Sequence, residues 1–88
     1  MIDNATQIEE KLFEYVRKST HADVNKINRE TLLFREGIFD SMGFVLLIDY
    51  LEENFGIKAS DTDLIEENFE SVKAITHYVQ QKKAAKAA

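Results

Sequence analysis

Eighty-eight residues with no cysteine describe one small domain and exclude disulfide frameworks, zinc–cysteine sites and thiol nucleophiles. Sixteen acids against eleven Lys and Arg give a formal net charge of −5, which argues against nucleic acid as a partner and for partners with basic surfaces. No apolar run reaches the length of a membrane span and Met1-Ile2-Asp3-Asn4 opens nothing like a signal peptide, so a cytoplasmic location is expected.

The absence of Pro, together with abundant Leu, Glu, Lys and Ala, favours helices throughout. Asn4-Ala5-Thr6-Gln7 has the spacing of a capping box and opens a first helix over roughly 5–18. Ile8, Leu12, Tyr15 and Val16 share one face of it, with Glu9 and Glu10 at the positive end of the dipole and Arg17 and Lys18 at the negative end. Residues 19–40 hold no sustained period. Ser19, Thr20, His21, Asp23, Asn25 and Asn28 are turn and cap formers, while Val24, Ile27, Leu32, Leu33 and Ile38 are isolated apolar residues able to pin the segment to a core. A connection this long suits parallel or crossing helices and is usually functional.

The central helix spans roughly 41–54, with Asp40 and Ser41 both good N-caps and Gly56 placed to end it. Phe44, Leu47, Ile48, Leu51 and Phe55 form a stripe suited to burial. Met42, Val45 and Leu46 make a second apolar face, interleaved with Asp49, Glu52 and Glu53. That face is either a docking surface beside a capped serine or more core in a tight bundle, and periodicity does not decide between them. Ser60-Asp61-Thr62-Asp63 then caps one short turn of helix through Leu64, Ile65 and Glu66, which Asn68-Phe69-Glu70-Ser71 breaks. Ser71 caps a last helix on whose face Val72, Ile75, Thr76 and Val79 recur. Residues 82–88 are low in complexity and expected to fray, so the domain is placed at 1–81.

Catalytic and metal chemistry find little purchase. Ser41 lacks the G-x-S-x-G frame, Phe39 standing two residues before it, and neither His21 nor His77 is placed to serve it as a base. Asp61-Thr62-Asp63 opens like a calcium loop but lacks the third acid and the glycine, and reads as helix-capping acids. No catalytic residue and no metal ligand is assigned. What remains is Asp40-Ser41: a hydroxyl on a loop-to-helix corner, where backbone N–H groups and the helix dipole would stabilise an attached phosphate. Asp40 is placed to help hold a divalent cation during phosphoryl transfer onto that oxygen.

Gly37-Ile38-Phe39-Asp40-Ser41-Met42 resembles the G-x-x-D-S-[LM] attachment motif of acyl carrier proteins and the related peptidyl and aryl carrier domains, and the likeness extends over nearly the whole chain. The resemblance implies an all-α, acyl-carrier-like four-helix bundle of three main helices, one short helix and a long first loop. It implies that a phosphopantetheinyl transferase moves 4′-phosphopantetheine from coenzyme A onto Ser41, with Asp40 assisting. An acyl or aminoacyl group would be held on the arm as a thioester, loaded by a ligase and passed to downstream transferases. The protein would be a monomeric carrier and not an enzyme, read by partners through Met42, Val45, Leu46, Asp49 and Glu53.

This chain departs from the carriers of fatty acid synthesis, which usually place an acid two residues after the serine and another three beyond that; here stand Gly43 and Leu46. Asp40-Ser41-Met42-Gly43 with a hydrophobic run behind it is closer to D-alanyl carriers and other specialised stand-alone carriers, which points to a dedicated biosynthetic pathway. The rival reading is an interaction domain that keeps the carrier fold without the prosthetic group.

Overall fold

In the computed structural model, residues 4–19 and 24–87 are described. They form four α-helices: α1 (Ala5–Ser19), α2 (Ser41–Phe55), α3 (Glu66–Phe69) and α4 (Val72–Ala87), with single 3-10 turns at Val24–Lys26 and Asp61–Asp63. The expected all-α bundle with one short helix is what the chain builds.

α1 starts where the capping box places it. The Gln7 amide donates to Asn4 Oδ1 at 2.9 Å and the Asn4 amide to Gln7 Oε1 at 3.3 Å. Ile8, Leu12 and Val16 are buried, while Tyr15 is half-buried and stacks on Tyr50 of α2 at 4.2 Å. The long connection is tied down by its own backbone. The Leu33 amide donates to Glu70 O, the Lys73 amide to Arg29 O, and the Ile38 and Phe39 amides both to Leu33 O. Leu33 is fully buried and Ile27 and Ile38 pack against the core, whereas His21 lies outside the described residues. Gly37 takes φ +76°, a conformation that bends the segment into α2 and suits a residue without Cβ.

α2 buries Leu47, Leu51 and Phe55, with Phe44 and Ile48 half-buried at its flanks. It ends on Gly56 at φ +66°, whose amide donates to Glu52 O at 3.2 Å. The central stripe therefore faces the core as its spacing predicts.

The next stretch differs from expectation. Leu64 and Ile65 are not helical: the 3-10 turn closes before them, Ile65 is extended, and α3 begins only at Glu66. Asn68 and Phe69, expected to break a helix, lie inside this one. The Asn68 side chain donates to Asp63 O at 2.8 Å, and Phe69 is fully buried, so tertiary packing overrides local preference.

α4 begins on Ser71, whose Oγ accepts from the Ala74 amide at 3.1 Å, and buries Val72, Ile75, Thr76, Tyr78 and Val79. It packs against α1, α2 and α3. The helix runs on to Ala87, into the low-complexity stretch that follows residue 81. Lys82 Nζ lies 2.9 Å from Asp63 Oδ2, and Lys83 Nζ donates to Phe55 O at 3.0 Å. These bonds hold a turn that composition alone would leave loose. No helix among the described residues is long and apolar enough to cross a membrane.

Candidate functional site

Asp40 is the N-cap of α2, in extended backbone, and its Oδ1 accepts from the Gly43 amide at 2.8 Å. Its carbonyl takes the first helical bond, from Phe44 N at 2.9 Å. Ser41 is thus the first residue of the helix, not its cap. Its side chain stands exposed, and among the described residues nothing hydrogen-bonds its hydroxyl. With Gly43 served by Asp40, the amides of Ser41 and Met42 keep no intrahelical acceptor and sit at the positive end of the dipole.

The face beyond Ser41 is apolar and open. Met42, Val45 and Leu46 are 65, 54 and 52 % exposed, whereas Leu47, their neighbour, is 1 % exposed. Asp49 and Glu53 are exposed on the same helix. All five residues expected to meet partners therefore lie on the surface, and the reading of that face as core does not hold.

Across from α2, Leu64 and Ile65 are 42 and 48 % exposed. Between the two edges runs an open groove of about 640 Å³ that reaches Asp40 and Ser41. Phe39, Phe34, Phe44 and Phe69 line it, their rings in that succession 5.9, 5.8 and 5.3 Å apart. Arg35 Nε lies 3.7 Å from Glu66 Oε2, an exposed ion pair linking the first loop to α3. Sequence reasoning missed this opposite edge. Its aromatic residues sit in segments with no helical period, and only the paired apolar residues Leu64-Ile65 between polar neighbours marked it.

Behind the groove, Asp63 fixes the segment that carries Leu64 and Ile65. Its Oδ2 receives Lys82 Nζ at 2.9 Å, the Tyr78 hydroxyl at 2.9 Å and the Ser60 amide at 3.1 Å. The Lys82 bond first, then the Ser60 amide, hold its carboxyl well below the usual carboxylate range. Burial, and then the bond to Asp63, push the Tyr78 phenol up and keep it protonated. The Tyr78 ring meets Phe69 at 4.9 Å, edge to face. His77 is exposed on α4.

A family model described as "Phosphopantetheine attachment site" matches residues 10–79. The chain is 27 % identical over 78 residues to a D-alanyl carrier protein of Abiotrophia defectiva, covering 89 % of this chain and 99 % of that protein. It is 30 % identical over 76 residues to a D-alanyl carrier protein of Lactococcus lactis subsp. lactis, covering 86 % of this chain and 96 % of that one.

Proposed function

The chain belongs to the phosphopantetheine attachment-site family of carrier proteins, and from that premise we propose that Ser41 is the attachment point and that the cargo is a small aminoacyl group of a dedicated pathway. A carrier of this family is not a catalyst, and its prosthetic group is 4′-phosphopantetheine. The group supplies the thiol that this cysteine-free chain lacks, and holds the cargo there as a thioester.

The observation that carries the assignment is the exposed Ser41 hydroxyl on the first turn of α2, unbonded among the described residues. In the transfer, Ser41 Oγ forms a bond to phosphorus, the bond from phosphorus to the nucleotide half of coenzyme A breaks, and the hydroxyl proton leaves. A phosphodiester at Oγ would lie beside the amides of Ser41 and Met42, which offer donors without needing to give up an acceptor. Asp40, exposed and fixed by its bond to Gly43, presents a carboxylate at the same corner. The residues present therefore fit the group.

Partners are a phosphopantetheinyl transferase, an aminoacyl-loading ligase and the transferases that take the cargo on, with the cytoplasm as the site of loading. Met42, Val45 and Leu46 give them apolar contact, and Asp49 and Glu53 offer charge for basic rims. Support for an aminoacyl cargo comes from the two D-alanyl carriers, each matched over nearly its whole length, and from a motif with Gly43 and Leu46 in place of acids.

Intact-mass measurement tests the assignment. With a phosphopantetheinyl transferase and coenzyme A, the wild type gains one arm and Ser41→Ala gains none. Protein recovered from its own host carries an amino acid's additional mass on the arm. A wild type left bare by several transferases would overturn the attachment, and a fatty acyl mass on native protein would overturn the cargo.

A further inference from the structure

Gly43 is the third residue of α2, and its φ is not positive, so the backbone does not call for glycine there. Helix propensity would favour alanine by about 1 kcal/mol. The reason for glycine is space. A Cβ at this position would stand 3.1 Å from Phe39 Cδ1, 3.2 Å from Phe39 Cβ and 3.5 Å from Asp40 Oδ1. Carbon atoms rest comfortably at about 3.5–4.0 Å.

Phe39 lines the groove, yet its retreat is restrained. It is 5 % exposed, with the rings of Tyr15 and Phe34 at 6.1 and 5.9 Å, and its amide is bonded to Leu33 O at 3.1 Å. Its Cβ, moreover, moves only with the main chain. Ser41 lies between the two residues in contact. Its backbone is held by the Asp40–Gly43 hydrogen bond, in the same turn where Phe39 comes up against the space a Cβ at 43 would fill.

We propose that the Phe39–Gly43 contact is a positioning device for the Ser41 hydroxyl, with Gly43 as the positioning residue. This rests on Ser41 being the attachment point. A side chain at 43 drives Phe39 outward by a few tenths of an ångström and, through the main chain, carries Asp40 and Ser41 with it. Val45, Leu46 and Asp49 stay with the body of α2, which Leu47 and Leu51 anchor in the core. Docking is then kept while the oxygen is misaligned, so turnover falls and recognition does not. In this light the missing acid at position 43 is a steric requirement of the aromatic residue four places earlier, and not simply a preference of partners.

The test uses the apo protein, a phosphopantetheinyl transferase and coenzyme A, with arm addition followed by intact mass and folding checked by circular dichroism. Gly43→Ala lowers kcat about tenfold, because displacement of a reacting atom by a fraction of an ångström is enough for that. KM for the carrier stays within about twofold, as expected when only transition-state alignment is lost. Gly43→Asp loses at least as much. Phe39→Leu, added to Gly43→Ala, removes the ring edge nearest the new Cβ and recovers part of the rate. In the same apo proteins the residue-43 amide exchanges with solvent faster in Gly43→Ala than in wild type, because its Asp40 acceptor has moved. A folded Gly43→Ala with wild-type kcat and exchange would overturn the device while leaving the attachment standing, as would a loss that Phe39→Leu does nothing to relieve. A wild type that takes no arm would overturn both.

Discussion

Asp63→Asn isolates what one carboxylate does for the far edge of the groove. Asparagine keeps the shape and an acceptor for the Ser60 amide and the Tyr78 hydroxyl, but removes the charge that Lys82 meets at 2.9 Å. A hydrogen bond to a charged group contributes about 1.5–3 kcal/mol against about 1 for a neutral one, so weakening the Tyr78 bond costs about 1 kcal/mol. The Lys82 pair is partly open to solvent, its two side chains 29 and 21 % exposed, and screening limits it to a further ~1 kcal/mol or less. The sum, about 2 kcal/mol, corresponds to a fall in Tm of roughly 8–16 °C for a domain of this size. Thermal melts by circular dichroism at pH 7 read it, with Lys82→Met and the double variant closing the cycle. The sign with pH is fixed by the depressed carboxyl. Its contribution is complete above the unfolded value of about 4 and is lost as pH falls toward the lower folded one, so the gap between wild type and Asp63→Asn narrows in acid. Melting within about 2 °C of wild type at pH 7, or a gap that widens below pH 4, would refute the argument.

Leu46→Glu leaves stability within about 0.5 kcal/mol of wild type but weakens transferase binding, whereas Leu47→Ala costs about 2–5 kcal/mol; denaturant melts beside arm-addition kinetics measure both, and a reversal would mean the faces of α2 are misassigned. The Thr76 side chain is buried and its Oγ1 finds no partner among the described residues, so Thr76→Val raises stability by about 1 kcal/mol in the same melts; a loss of stability would count against an unsatisfied hydroxyl.

Helices whose apolar residues recur over several turns could be read directly. α1 and α2 begin and end within a residue of expectation because Asn4, Gln7, Asp40 and Gly56 make the local bonds that their chemistry suggests. The segment from Ser60 to Ser71 could not be read in the same way. There a buried phenylalanine and the Asn68 side chain, bonded to the carbonyl of Asp63 five residues back, decide where four helical residues fall. The site divides along the same line. Ser41 and the outer face of α2 follow from a motif and a period, whereas Phe34, Phe39, Leu64 and Ile65 come together only once the first loop and the segment before α3 fold over α2. The last turns of α4 were hidden for a related reason: a run of Lys and Ala says nothing of a carboxylate nineteen positions upstream, yet Lys82 finds one at Asp63.

Residues 46 and 47 are neighbours in the chain, and one turn of about 100° places the first in water and the second in the interior. On the docking role proposed for that face, a lineage of such proteins can exchange the enzymes it serves by rewriting positions 42, 45 and 46 without reopening the question of whether the molecule folds. Divergence to 27 % identity along nearly an entire homologue is compatible with one shared architecture under that arrangement, because the vocabulary of recognition and the grammar of folding are written on opposite sides of the same helix.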